Sequence, residues 1–63
     1  MWVNVSALRR HQTIYGLKQP NGYEFYFPAG AKVLSIRPDG VKIQYRYGDI
    51  ETVSTHTKFK ISK

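Results

Sequence analysis

The chain reads as an all-β domain, a small antiparallel barrel of five or six short strands. Two turns and one pattern predict it. Gln19-Pro20-Asn21-Gly22 and Arg37-Pro38-Asp39-Gly40 each place proline, then Asn or Asp, then glycine. Proline pre-sets φ for the first central position of a type I turn, and Asn or Asp suits the second. Glycine takes the positive-φ position that opens the next strand. After each turn the residues alternate in character, as Tyr23-Glu24-Phe25-Tyr26-Phe27 and as Val41-Lys42-Ile43-Gln44-Tyr45-Arg46-Tyr47. Alternation with a period of two is the mark of a half-buried strand.

The strands expected in order are 13–18, 22–27, 31–37, 41–47, 50–54 and 57–62. Their connections are Pro20-Asn21-Gly22, Pro28-Ala29-Gly30, Pro38-Asp39-Gly40, Gly48-Asp49 and a Thr55-His56 corner. All are short, so neighbouring strands pair as hairpins in a meander. Ahead of them, Trp2-Val3-Asn4-Val5 alternates like a strand. Ser6 to Gln12 then forms a short helical or irregular turn with Ser6 as its N-cap, too short to stand alone as a helix.

Alternation also assigns faces. Val41, Ile43, Tyr45 and Tyr47 share the inner side, with Lys42, Gln44 and Arg46 outside. Tyr23, Phe25 and Phe27 face inward, with Glu24 and Tyr26 outward. Phe59 and Ile61 oppose Lys58, Lys60 and Ser62. Val33, Leu34 and Ile36 break strict alternation, which suits a bulged or strongly bent strand. Short bent strands with one apolar face curl most easily into a barrel.

The segment from Ala31 to Val53, about a third of the chain, carries strand, Pro-Asp-Gly turn, Val-Lys-Ile-Gln-Tyr, Gly-Asp and Ile-Glu-Thr-Val. This order resembles SH3-like barrels in general, a class that includes Tudor-type and chromo-type modules. The resemblance implies the barrel fold. The acidic loop and tandem aromatic motif of an SH3 ligand groove are not visible, so proline-rich peptide binding does not carry over.

Sixty-three residues make one domain, 1–63, and a small one. A chain this short buries only about 60% of the surface its unfolded form exposes. No cysteine is present, which excludes disulfides and thiolate metal sites. Two histidines and four carboxylates are too few and too scattered for a structural metal. Aromatic burial is left to hold the core, with Trp2 as a plug or a lid over one end. Self-association to a homodimer is the other way to bury surface.

Ten Lys and Arg against four Asp and Glu give a net charge of +6. Such a field favours anionic partners: nucleic acid first, acidic protein surfaces next. No apolar run is long enough to span a bilayer, and no signal-peptide pattern opens the chain, so a cytoplasmic, membrane-free protein is expected. Small chains of this build are common among phage and bacterial accessory proteins.

Two basic constellations stand out. Lys42, Arg46, Lys58 and Lys60, with Gln44 as a polar partner, form a strand-face stripe for phosphates if both strands lie on one side of the barrel. Arg9 and Arg10, beside His11, form a second cluster on the N-terminal turn. Tyr26, projecting outward, suits base stacking. The favoured function is therefore a nucleic-acid-binding module without sequence specificity, since no recognition helix is present. The alternative is a protein-interaction module, an adaptor or a phage-type inhibitor of a host protein, steered by charge to an acidic partner. Catalysis has nothing to stand on. No serine lies in a nucleophile-elbow motif, no carboxylate pair forms, and the glycines are scattered turn residues. No catalytic residue, metal or cofactor is expected.

Overall fold

A computed structural model describes residues 1–63. Six strands, β1 (Trp2–Val3), β2 (Thr13–Lys18), β3 (Glu24–Arg37), β4 (Gly40–Tyr45), β5 (Ile50–Val53) and β6 (Lys58–Lys60), form one antiparallel sheet in the order β1-β6-β2-β3-β4-β5. The all-β expectation holds. The expected closed barrel does not form: the sheet stays open, with β1 and β5 as its two edges.

Both Pro-Asx-Gly segments are the tight reversals expected of them. In the first, Gly22 N donates to Gln19 O at 2.9 Å, Gln19 N to Tyr23 O at 2.7 Å, and Tyr23 N to Asn21 Oδ1 at 2.9 Å. In the second, Arg37 pairs directly with Gly40 across Pro38-Asp39. A third reversal copies the first without proline. Gly48 N donates to Tyr45 O at 2.9 Å, and Tyr45 N to Asp49 O at 2.8 Å. Strand β4 therefore stops at Tyr45, and Arg46 and Tyr47 sit in the turn rather than on the expected strand 41–47.

The largest departure is at Pro28-Ala29-Gly30. This segment was expected as a hairpin connection, but it lies within one continuous fourteen-residue strand, β3. β2 pairs with both halves of that strand, Gly16 to Lys18 with Glu24 to Tyr26, and Thr13 and Ile14 with Ala31 and Lys32. Between these pairings the residues from Phe27 to Gly30 all stand opposite Tyr15 alone. Proline lacks an N–H for the ladder, and a bulge is where a strand tolerates it. Gly30 sits at φ +86°, and a Cβ there would lie 2.8 Å from Thr13 Cγ2. A corner, not a reversal, is the result. A second irregularity falls at Leu34, between the pairs Val33–Ile43 and Ser35–Lys42, where broken alternation foretold a bulge.

The bend turns one face of the sheet inward around Leu8, Ile14, Leu17, Phe27, Ala31, Val33, Val41, Ile43, Val53 and Phe59. Val3, Val5, Tyr45 and Ile61 pack against this core. At the N-terminus the strand-then-turn reading holds, with a 3-10 helix at Val5–Ala7. Its N-cap is Asn4, not Ser6, which lies inside the turn. The aromatic core expected from composition is only partly built. Phe27 and Phe59 are buried, but Tyr23 and Phe25 are 52% and 43% exposed despite facing inward. Trp2 plugs nothing: it lies on the outer face, edge-on to Tyr26 with ring centres 6.0 Å apart.

Candidate nucleic-acid interface

The inward-facing aromatics of β3 and β4 run past the end of the core and out into solvent. Tyr23 stacks on Phe25 with centroids 6.2 Å apart, Phe25 meets Phe27 at 5.2 Å, and Phe27 meets Tyr45 at 5.3 Å. Tyr45 in turn stacks on Tyr47 at 5.5 Å. Five rings thus form one ladder from the β2–β3 turn to the β4–β5 turn. Phe27 anchors it in the core, and Tyr47 at its far end is 76% exposed. Alternation puts every one of these rings on the inner face. The two ends are exposed because Tyr23 and Tyr47 sit on the reversals just outside β3 and β4.

Against the ladder lies a groove of about 510 Å³, lined by Phe25, Phe27, Tyr45 and Tyr47 together with Arg46 and the Pro28–Gly30 corner. It adjoins a polar notch of about 330 Å³ that holds Lys32, Gln44 and Arg46. Tyr45, Arg46, Ala29 and Gly30 line both. Lys32 and Gln44 are direct cross-strand partners, so their side chains share the outer face beside the notch. Gln44 Nε2 donates to Gly48 O at 3.2 Å, which ties it to the turn carrying Arg46 and Tyr47. An apolar, ring-walled half thus opens directly onto a cationic half. Tyr45 spans the junction. Its hydroxyl donates to Glu51, and burial first, then that hydrogen bond, pushes its pKa above the ordinary value of 10.0.

The expected single stripe is not built. Gln44 and Lys42 lie on β4, Lys58 and Lys60 on β6, and β2 and β3 separate the two strands. Arg46 leaves the strand face altogether for the turn. The stripe's members divide into two groups. Gln44 and Arg46 join Lys32 at the notch, while Lys58 and Lys60 stay on β6, with Lys60 Nζ 5.5 Å from the Tyr26 ring centre. Lys42 is exposed on β4, opposite Ser35 and Thr52. Tyr26 projects outward as alternation predicts, and its hydroxyl donates to Glu24 at 2.9 Å. That bond to a carboxylate raises its pKa.

Arg9 and Arg10 are exposed beyond the 3-10 helix, not on a helical face. They belong to a turn closed by Gln12 N donating to Arg9 O at 3.2 Å, with His11 at φ 68°. Nothing in the sheet brings them to the groove. Lys32 escaped sequence reasoning, because its pairing with Gln44 depends on the bulge at Leu34. Alternation puts Tyr47 on the inner side, yet as a tyrosine near the barrel rim it is also a candidate exposed anchor, and exposed is how it stands. The available signal was Gly48, whose position in Arg46-Tyr47-Gly48 matches that of Gly22 in Pro20-Asn21-Gly22.

No three His, Asp or Glu side chains gather closely enough to hold a metal ion, and no helix is long and apolar enough to cross a membrane. No family model, curated protein or solved structure matches this chain.

Proposed function

We propose that the protein is a single-stranded nucleic-acid-binding module, without sequence specificity, built on an SH3-like arrangement of strands. The fold reading rests on the order β6-β2-β3-β4-β5 and on a long bent β3 that serves both halves of the sheet. The observation that carries the function is the junction of ring ladder and cationic notch at Arg46. A base stacks on Tyr47 or in the groove beside Phe25, and the adjoining phosphate enters the notch between Lys32 and Arg46. Arginine grips phosphate oxygens in bidentate fashion and lysine acts as a point charge. Stacking on such rings tolerates every base, since each has a π-face. The chain's +6 charge draws the strand in from a distance.

Fluorescence anisotropy with labelled single- and double-stranded oligonucleotides at several salt concentrations tests this. Single strands bind more tightly than duplexes, whose bases are unavailable for stacking. Arg46→Gln and Lys32→Gln each reduce the slope of log K against log salt by about 0.7. Absence of single-strand binding at low salt overturns the proposal.

A second reading has its own support. β5 is an open sheet edge, and Ile50 on it is 57% exposed. An extended segment of an acidic protein partner pairing along β5 would use that edge. Loss of capture on placing proline at an outward-facing N–H of β5, with oligonucleotide binding absent, selects this reading.

A further inference from the structure

We infer that the single-strand track continues from the aromatic groove over Tyr26 onto the outer face, where Trp2, Lys60, Lys58 and Lys18 form a second contact for the same strand. The inference rests on the reading of the groove as a nucleic-acid site. Tyr26 makes the connection, because it lines the groove and is also half-exposed on the outer face.

The strand pairings place Trp2 beside Lys60, Lys60 beside Gly16, and Gly16 beside Tyr26. These four positions make one row across four strands, all on the outer side. Gly16 leaves a gap in the row, and the neighbours lean into it. A Cβ at residue 16 would lie 3.3 Å from Tyr26 Cδ1 and 3.4 Å from Lys60 Cβ. Tyr26 thus lies across the strand, with Trp2 edge-on at 6.0 Å and Lys60 Nζ 5.5 Å from its ring centre. An indole, a phenol and an ammonium within one row suit a base followed by its phosphate.

The next row supplies the charge argument. Lys18 pairs directly with Lys58 across β2 and β6. Like charges directly opposite on one face repel; of these two and Lys60, only Lys18 has an ion pair, with Glu24 at 3.6 Å. That exposed ion pair contributes little. Three lysines on adjacent rows with one counter-charge carry an unrelieved positive potential, and a phosphodiester strand relieves it. Its contacts with Tyr26 and Trp2 require bases free to stack, so the occupant is single-stranded.

Trp2 is the only tryptophan of the chain, and it reports on this face without a label. The probe is an oligothymidylate of about twelve nucleotides, inside the range of site sizes that small β domains cover. Saturating the wild-type protein changes the Trp2 emission. Lys58→Gln with Lys60→Gln, the first exposed and the second half-buried, weakens binding on the order of tenfold at low salt and flattens the salt slope by roughly 1.4. Tight binding with silent Trp2 emission and an unaltered slope in the double variant overturns the inference and leaves the groove reading standing. No anisotropy change with the wild-type protein overturns both.

Discussion

The inner face of the sheet has two ends built from the same alternation. At one end Ile14, Val33, Val41, Ile43 and Phe59 are sealed from solvent. At the other, Tyr23, Phe25 and Tyr47 continue the same face and stand between 43% and 76% exposed. The residues differ in kind as well as in burial. The sealed end is aliphatic apart from Phe59, whereas the open end is aromatic, and mostly tyrosine. Aliphatic side chains gain most when fully desolvated. Tyrosine tolerates a wet hydroxyl beside a dry ring. The comparison separates residues that hold the fold from residues left open to solvent, with the Pro28–Gly30 corner and the end of β4 at Tyr45 between them.

The largest effect expected from this division is at the sealed end. Ile43→Ala removes a fully buried side chain and costs about 2–5 kcal/mol. In a domain of marginal total stability, that abolishes or sharply lowers the thermal transition seen by calorimetry. A melting temperature no lower than that of Tyr47→Ala would erase the distinction between the two ends.

Tyr45, at the boundary, gives an intermediate and pH-dependent effect. Its folded-state pKa lies above 10.0, raised by burial and then by the hydrogen bond to Glu51. The folded state therefore holds the phenolic proton more firmly than the unfolded state does. The stability this adds is fully present below pH 10 and is lost as the pH climbs through the folded-state value. Tyr26, also raised, acts with the same sign. Tyr45→Phe lowers stability at neutral pH by about 0.5–1.5 kcal/mol through the lost hydrogen bond, and it makes the alkaline decline shallower. Melting temperatures of both proteins between neutral and strongly alkaline pH check this. Parallel curves would show that Tyr45 is not the titrating group.

The smallest effect on stability belongs to the open end. Tyr47→Ala stays within about 0.5 kcal/mol of wild type, because the ring is mostly exposed and stacks on Tyr45 outside the core. The same change weakens single-strand binding by about 1–3 kcal/mol. Chemical denaturation and anisotropy on one preparation sharpen the contrast. A large stability loss with unchanged binding would move Tyr47 into the fold.

The tight turns were legible because their causes are local. Proline, an Asx residue and glycine set their own dihedrals whatever surrounds them, so both reversals occur where the residues place them. Face assignment was legible for the same reason, since successive side chains must point to opposite sides of a strand. Tyr26 outside and Phe27 inside follow from that alone. The corner at Pro28-Ala29-Gly30 was not legible, because the same residues serve a reversal or a bulge. Pairing of both halves of β3 with β2 decides between them.

The candidate site divides along the same line. From the residues alone come the positive charge, the wealth of tyrosine and the identities of Gln44, Arg46 and Tyr26 as available polar or aromatic groups. Tertiary structure decided that the stripe would split, because β2 and β3 lie between β4 and β6. It also brought Lys32 to Gln44 through a bulge, and left the ends of the aromatic ladder exposed on the turns beyond β3 and β4. The physical reason is one of range. Dihedral preference and strand alternation act over one or two residues and fix where a side chain points. Burial and charge clustering depend on what arrives opposite it, and that is set by strands distant in the chain.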